Sequence, residues 1–401
     1  MTRRIALDTA ATRGGEDTDL PALSEPIWQT APFAFRNVEE LEASARGGRP
    51  DHFYTRYGNP TISSAERKMA VLEGTQDAVA FSSGMAAISN ALSALLKPGD
   101  HVVAIEDLYG GTLSLFARTL PARGISVSFV KTSERPDFES AVTPSTRLVY
   151  VETPTNPLVK IVDLEWTAAF ARERGLLCAV DSTFGTPVLQ SPAELGFDLV
   201  LHSATKYLNG HADVTAGFAC ASGALTARIR QERKLAGPVL DPLAAWLLTR
   251  GMKTVVLRVR AQAESALVLA RYLEGHPGIE RVHYPGLPSH PGHETARRQM
   301  SAFGAMLAFD VAGGRAAARA FVESLALVRL ATSLGSLETT ADLPAITSHS
   351  PAMIAPDKRE ALGISEATVR LSVGCEDVED LRADLEQALA RAVAAPSSAS
   401  A

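Results

Sequence analysis

The stretch Leu199-Val200-Leu201-His202-Ser203-Ala204-Thr205-Lys206-Tyr207 is an apolar run of strand character that ends in two hydroxyl residues and a lysine. Loop residues Asn209-Gly210-His211 follow it. A lysine at a strand end can stand in a cleft, where partial desolvation lowers its pKa and leaves the amine free to attack an aldehyde. A lone lysine is more often a surface charge, so the argument needs a second feature. Leu176-Leu177-Cys178-Ala179-Val180 reads as another buried strand, and it ends in Asp181. An unpaired carboxylate is costly to bury, so Asp181 calls for a cationic partner, and a pyridinium nitrogen is one.

These residues need elements to position them. From residue 78 the chain alternates strands and helices. Strands are predicted at Ala78–Phe81, His101–Ile105, Ile125–Val130, Leu148–Glu152, Leu176–Val180, Leu199–Leu201 and Gly217–Ala221. Seven strands in a βα rhythm imply a mostly parallel, helix-covered sheet, and ligands of such sheets collect at the carboxyl ends of the strands. The residues just past those ends are Ser82-Ser83-Gly84-Met85, Tyr109, Thr153-Pro154-Thr155-Asn156-Pro157, Asp181 and Ser203 to Lys206. Ser82-Ser83-Gly84 before a helix from Met85 to Leu96 has the form of a phosphate cradle, since backbone N–H groups and the helix dipole both favour an anion there. Arg56, within Tyr54-Thr55-Arg56-Tyr57-Gly58-Asn59-Pro60-Thr61, could hold a phosphate bidentately beside a tyrosine hydroxyl, or could be a solvated arginine in a turn.

The 401 residues allow two or three domains, and 46% hydrophobic with 21% charged residues is the composition of a globular protein. A net charge of −6 leaves no basic footprint for nucleic acid. No window is apolar enough for a membrane span, and no secretory signal follows Met1, so a cytoplasmic setting is expected. Cys178, Cys220 and Cys375 lie in apolar surroundings and read as buried thiols. His283, His290 and His293 are separated by proline and glycine and are completed by no acid or cysteine spacing, so no metal is expected. The expected organisation is an N-terminal arm over 1–53, a large α/β domain over 54–251, a C-terminal α+β domain over 252–393 with strands near Arg281–Tyr284, Ala305–Val311 and Val369–Val373, and a disordered tail over 394–401.

The motifs together resemble the Cys/Met-metabolism enzymes that depend on pyridoxal phosphate (PLP), which include cystathionine γ-synthase, cystathionine β- and γ-lyases, methionine γ-lyase and homoserine-ester sulfhydrylases. The resemblance runs from about Tyr54 to about Leu389. It is carried by Tyr54 to Thr61, Ser82 to Ala87, Tyr109-Gly110-Gly111-Thr112, Glu152 to Pro157, Asp181-Ser182-Thr183-Phe184, Ser203 to Tyr207, Ser333-Leu334-Gly335 and Arg370-Leu371-Ser372-Val373-Gly374. It implies the fold of aspartate aminotransferase (fold type I), with a seven-stranded, mostly parallel sheet and a smaller C-terminal domain. It also implies a homotetramer of dimers with shared active sites, a small amino-acid substrate, and neither nucleic acid nor membrane as partner.

Residue by residue, the resemblance implies that Lys206 joins the PLP aldehyde and later shuttles protons, and that Asp181 keeps the pyridine nitrogen protonated. Tyr109 would stack on the ring. The phosphate would fall to Ser83, Gly84, Met85, Ser203 and Thr205, with Tyr54 and Arg56 added from a neighbouring subunit. Asn156 would sit beside the phenolic oxygen, Arg370 would clamp the substrate carboxylate, and Ser333 and Thr332 would shape that end of the site. The implied chemistry is α,γ-elimination or γ-replacement on a sulfur- or oxygen-substituted amino acid. A β-lyase or a sulfhydrylase of the same family is the alternative, with an aminotransferase or a non-enzymatic relative further off. Two departures bear on substrate: Gly111 stands where methionine γ-lyases resemble one another in cysteine, and Thr332 stands where cystathionine γ-lyases and γ-synthases carry glutamate.

Overall fold

The computed structural model describes residues 5–16, 21–48, 50–132 and 135–394, so residues 395–401 of the expected tail lie outside it. Seven strands, β1 (Asp77–Phe81), β2 (His101–Ile105), β3 (Ser126–Val130), β4 (Thr146–Glu152), β5 (Leu177–Asp181), β6 (Leu199–Ser203) and β7 (Gly217–Ala221), form one sheet in the order β1-β7-β6-β5-β4-β2-β3. The pairs β2–β3, β2–β4 and β4–β5 are parallel. Residues Val102 to Ile105 are all fully buried, as expected for strands covered on both faces. The exception is β7, antiparallel to both β1 and β6. A parallel crossover normally needs a helix, and the segment 204–216 between β6 and β7 contains none, so the strand returns in the opposite direction.

The second sheet takes β8 (Ile279–His283), β9 (Met306–Val311), β10 (Arg329–Leu330), β11 (Thr340–Asp342) and β12 (Thr368–Ser372), in the order β10-β11-β12-β9-β8. At two and three residues, β10 and β11 are too short to show a period of two, and the sequence does not announce them. The helix expected from Met252 to Leu273 is observed as Val255–Glu274, and a separate helix, Pro242–Met252, precedes it, capped by Asp241, whose carboxylate accepts from the backbone of Leu243 and Ala244. Cys178 and Cys220 are buried as expected, whereas Cys375 is exposed because the apolar run of β12 has already ended at Gly374.

The chain divides into two compact units, one of residues 1–97 with 191–256, the other of 98–190 with 257–401. In the first unit the arm is not structureless: Leu7–Arg13 and Val38–Ala45 are helices. The Lys68 ammonium donates to the Ala11 carbonyl (2.9 Å), the Asn59 amide to the Trp28 carbonyl (2.8 Å), and the Trp246 indole to the Glu25 carbonyl (3.0 Å). Polar groups of the folded unit thus satisfy backbone that has no ladder of its own.

The same unit solves an edge problem. β1 ends the sheet, so its outer N–H and C=O groups have no strand partner. Side chains take that place: the Ala80 N–H donates to Glu66 Oε1 (2.9 Å), Arg233 Nη1 donates to the Ala80 carbonyl (2.7 Å), and Arg230 Nη2 donates to the Ala78 carbonyl (3.1 Å). Glu66, itself buried, also accepts from Arg233 Nη1 at 2.7 Å and Arg230 Nη1 at 2.5 Å. Helices Pro60–Glu73 and Gly223–Ala236 are thereby stapled to β1. Removing one partner of a buried ion network leaves the others uncompensated, so Glu66→Ala should lower the unfolding free energy of the apoprotein by about 3 kcal/mol or more. In urea unfolding, a loss of less than about 1 kcal/mol, the ordinary worth of an exposed pair, would refute the stapling role.

Candidate active site

In the first unit the sequence-predicted residues meet at the ends of β1, β6 and β7. Ser83 caps the helix Gly84–Leu95, its hydroxyl accepting from the Ala86 N–H at 3.1 Å, so the first-turn amides point out of the helix end. The turn is held by lack of space. A Cβ on Gly84 would stand 2.7 to 2.9 Å from Cβ, Cα and Oγ of Ser203, and a Cβ on Gly217 would stand 2.3 Å from the Ser83 carbonyl oxygen. Glycine at these two positions lets the helix N-terminus lie directly against the Ser203 side chain. Thr205 is tied to the start of β7 by its hydroxyl, which accepts from the Ala216 N–H at 3.0 Å.

Lys206 is half-buried in the turn that follows β6, not on the strand itself. Its N–H donates to the Ser203 carbonyl (3.2 Å), and its own carbonyl accepts from the Gly210 N–H (2.8 Å). Beneath it the buried His202 imidazole meets Glu73 at 2.9 Å, which fixes the end of β6. Tyr54 and Arg56 do not join this group within the chain. The Arg56 guanidinium lies over the Tyr57 ring, 4.7 Å from its centre, and its hydrogen bonds go to the Tyr57 hydroxyl and the Lys234 carbonyl.

In the second unit a different set converges. Glu152 and Asp181 are register partners at the carboxyl ends of the parallel strands β4 and β5. Asp181 Oδ1 accepts from the Thr183 N–H (3.0 Å) and hydroxyl (2.6 Å). Glu152 accepts from the Tyr109 N–H at 2.8 Å and from the Asn156 N–H at 3.3 Å, so one buried carboxyl ties together the backbones that carry two expected site residues. Burial first, and then the negative charge of Asp181, push the Glu152 carboxyl well above the usual carboxylate range. The Tyr109 side chain stands out, 45% exposed.

Arg370 on β12 is buried beside this group. Nη1 donates to Asn156 Oδ1 (2.7 Å), and Nη2 donates to Asp342 Oδ2 (2.6 Å) and to the Ser333 carbonyl (3.2 Å). Ser333 has a φ of 76°, a left-handed conformation costing on the order of 1 kcal/mol for a residue with a Cβ, and this conformation accompanies its carbonyl's bond to the guanidinium. The loop is anchored by the Gly335 N–H, which donates to the Ser372 hydroxyl at 2.8 Å. Thr332 lies exposed on the same loop. Burial and the charges of Arg370 and Arg359 push the His349 imidazole down to about 4, so it is neutral near pH 7.

Sequence reasoning quoted Glu152 only as part of a motif and missed Asp342 altogether. Nothing in Thr340-Ala341-Asp342-Leu343-Pro344 distinguishes that aspartate from a surface residue; the strand pairing does. Among the described residues no cluster of three or more His, Cys, Asp or Glu side chains is placed to hold a metal.

The donor set fits PLP. A helix N-terminus pressed against Ser203 is a ready cradle for a phosphate dianion, the Asp181 carboxylate suits a pyridinium, and the lysine amine suits an aldehyde. Two outcomes follow. Gly84→Ala should fold yet bind PLP about tenfold more weakly or worse in apoenzyme titration, because its Cβ must displace Ser203 or the turn; unchanged affinity would remove this turn from the phosphate site. Glu152 has a raised pKa in the folded state, so the stability it confers is complete below its unfolded value near 4.5 and is lost as pH rises toward the folded value. Glu152→Gln apoprotein should therefore gain stability relative to wild type as pH increases from about 5 to 8 in thermal unfolding; a pH-independent difference would show that Glu152 ionises normally.

Residues 8–390 match the family described as Cys/Met metabolism PLP-dependent enzyme. The chain is 45% identical to an L-methionine gamma-lyase of Fusobacterium nucleatum subsp. polymorphum over 97% of this chain and 99% of that one. It is 42% identical to an O-succinylhomoserine sulfhydrylase of Pseudomonas aeruginosa over 96% of this chain and 95% of that one. A solved cystathionine gamma-lyase from Lactobacillus plantarum, in complex with L-serine, superposes with a TM-score of 0.91 at 38% identity, covering 97% of this chain and 100% of that one. The chain belongs to the PLP-dependent enzymes of Cys/Met metabolism, with the fold type I architecture and PLP as its cofactor.

Proposed function

We propose that this enzyme is a carbon–sulfur lyase or γ-synthase that carries out α,γ-elimination or γ-replacement on a small α-amino acid with an uncharged sulfur- or oxygen-linked group at Cγ. Arg370 receives the α-carboxylate, and this role carries the reading. A buried guanidinium fixed by Asn156, Ser333 and Asp342 has a defined orientation, and three of its five N–H groups are engaged, which leaves two for a carboxylate. Bound PLP supplies an electron sink for carbanion charge on the substrate. Lys206 would hold the cofactor's aldehyde carbon and, once freed by substrate, would carry the Cα proton to that carbon, so that its neutral amine could then take a proton from Cβ as the group at Cγ leaves with its bonding electrons. Asp181 keeps the ring nitrogen cationic. Ser83, Gly84, Met85, Ser203 and Thr205 bind the phosphate, and Tyr54 and Arg56, whose own-chain partners are few, serve the site of a neighbouring subunit in a cytoplasmic homotetramer. Tyr109 faces the ring and offers its hydroxyl to the substrate amine or the leaving group, while Asn156 borders the phenolic oxygen.

The surroundings of Tyr109 support an uncharged distal group. The Ser348 carbonyl oxygen would lie 2.6 Å, and Met353 Cβ 3.8 Å, from a Cβ built on Gly110. Met353 is 47% exposed, so apolar surface lies beside the residue that follows the tyrosine, and Thr332 brings no charge to match a distal ammonium. A thioether or an ester suits such a wall. The likeness to methionine γ-lyases favours the thioether and the likeness to an O-succinylhomoserine sulfhydrylase favours the ester, while Gly111 in place of the methionine γ-lyases' cysteine argues against methionine itself. A β-lyase reading keeps the same residues and needs only the first proton abstraction.

Products from the purified, PLP-loaded enzyme with L-methionine, L-homocysteine, L-cystathionine and an O-acyl-homoserine, each with and without added thiol, decide the assignment. Formation of 2-oxobutanoate and ammonia without thiol establishes the γ-lyase, products only with thiol establish the synthase, and pyruvate alone transfers the enzyme to the β-lyases. Lys206→Ala should abolish turnover and the visible absorbance of lysine-bound PLP; full activity in that variant would overturn the mechanism.

A further inference from the structure

Arg370 can act as a carboxylate fork only if its own orientation is fixed, and the residue best placed to fix it lies outside every motif of the sequence. Asp342 on β11 is the antiparallel register partner of Arg370 on β12, so the two side chains project side by side from adjacent strands. Both are buried, at 2% and 6% exposure, and Oδ2 lies 2.6 Å from Nη2. The other two acceptors are neutral: the Asn156 amide oxygen on Nη1 and the Ser333 carbonyl on Nη2. Among the described residues Asp342 is therefore the one carboxylate that bonds this guanidinium.

We infer that Asp342 is the positioning residue of the substrate-carboxylate site, holding the Arg370 guanidinium in the plane in which its remaining N–H groups donate to an α-carboxylate. This rests on the reading of Arg370 given above. β11 supplies the rigidity: at three residues it is short, but its pairing places Thr340 opposite Ser372, Ala341 opposite Leu371 and Asp342 opposite Arg370, which leaves the carboxylate no other register. Without it the fork keeps two neutral acceptors and gains rotational freedom, and the carboxylate then meets a mobile cation instead of a preorganised one. Asp342 touches neither cofactor nor reacting atoms, so its loss should fall on recognition of the carboxylate.

The test compares two ligands on the holoenzyme, L-alanine and ethylamine, which differ only in the carboxylate, with binding followed by the visible absorption of the bound cofactor. In Asp342→Asn, which keeps the shape and one acceptor, alanine should bind about 10- to 100-fold more weakly, as expected for loss of a charge-assisted bond, and ethylamine within about twofold of wild type. For whichever amino acid is turned over, KM should rise more than kcat falls. Asp342→Glu, with the charge retained on a longer arm, should recover part of the loss. Equal weakening of both ligands, or alanine affinity within about twofold of wild type, overturns the assignment. Arg370→Ala separates this inference from its premise: if that variant weakens alanine no more than ethylamine, the carboxylate site itself is misplaced, and if it weakens alanine selectively while Asp342→Asn does not, Asp342 alone is.

Discussion

Two buried carboxyl groups side by side, Glu152 and Asp181, constrain most of the second unit's chemistry. They stand at the same level of adjacent parallel strands, and two like charges there would repel strongly in a poorly solvated environment. The structure resolves this by giving them unequal surroundings. Asp181 receives a hydroxyl and an N–H from Thr183, while Glu152 is driven toward its neutral form. The Glu152 carboxyl then becomes a fastener for the Tyr109 and Asn156 backbones.

From that fastener the polar network passes outward without a break. Glu152 holds Asn156, Asn156 receives Arg370, and Arg370 is braced by Ser333 and Asp342. The chain of bonds connects the acid beside Asp181 to the buried Arg370 guanidinium. Networks of this kind are stable only when each buried member is satisfied, which accounts for the left-handed Ser333 backbone: its carbonyl reaches the guanidinium from that conformation. The first unit achieves its positioning differently, by close backbone approach. Gly84 against Ser203, and Gly217 against Ser83, set the helix end against the end of β6, with charged side chains reserved for sealing the edge of β1.

Much of this was legible in the sequence, for identifiable reasons. Apart from β3, which is half-exposed at the sheet edge, the strands announce themselves as apolar runs because they are covered on both faces, and their ends carry the polar residues because only there can such residues reach a ligand. The direction of β7 was not legible, since an alternating pattern of strands and helices says nothing about a connection that lacks its helix. The segments β10 and β11 were invisible for want of length, and Cys375 was misread as buried because the apolar character of β12 was extended past the glycine that ends it.

Local chemistry determined the rest of the division. Lys206, Asp181, Arg370, Tyr109 and the Ser83-Gly84-Met85 turn are identifiable from residue type and neighbours, since each lies at a strand end or a helix start that its own flanking residues specify. Glu152 and Asp342 are not. An isolated glutamate or aspartate becomes a fastener or a brace only when strand pairing sets it beside Asp181 or Arg370, and those partners are 29 and 28 residues away along the chain. The sequence alone therefore marked the candidate groups. Register between strands, a long-range property that no local pattern encodes, decided which groups hold them in place.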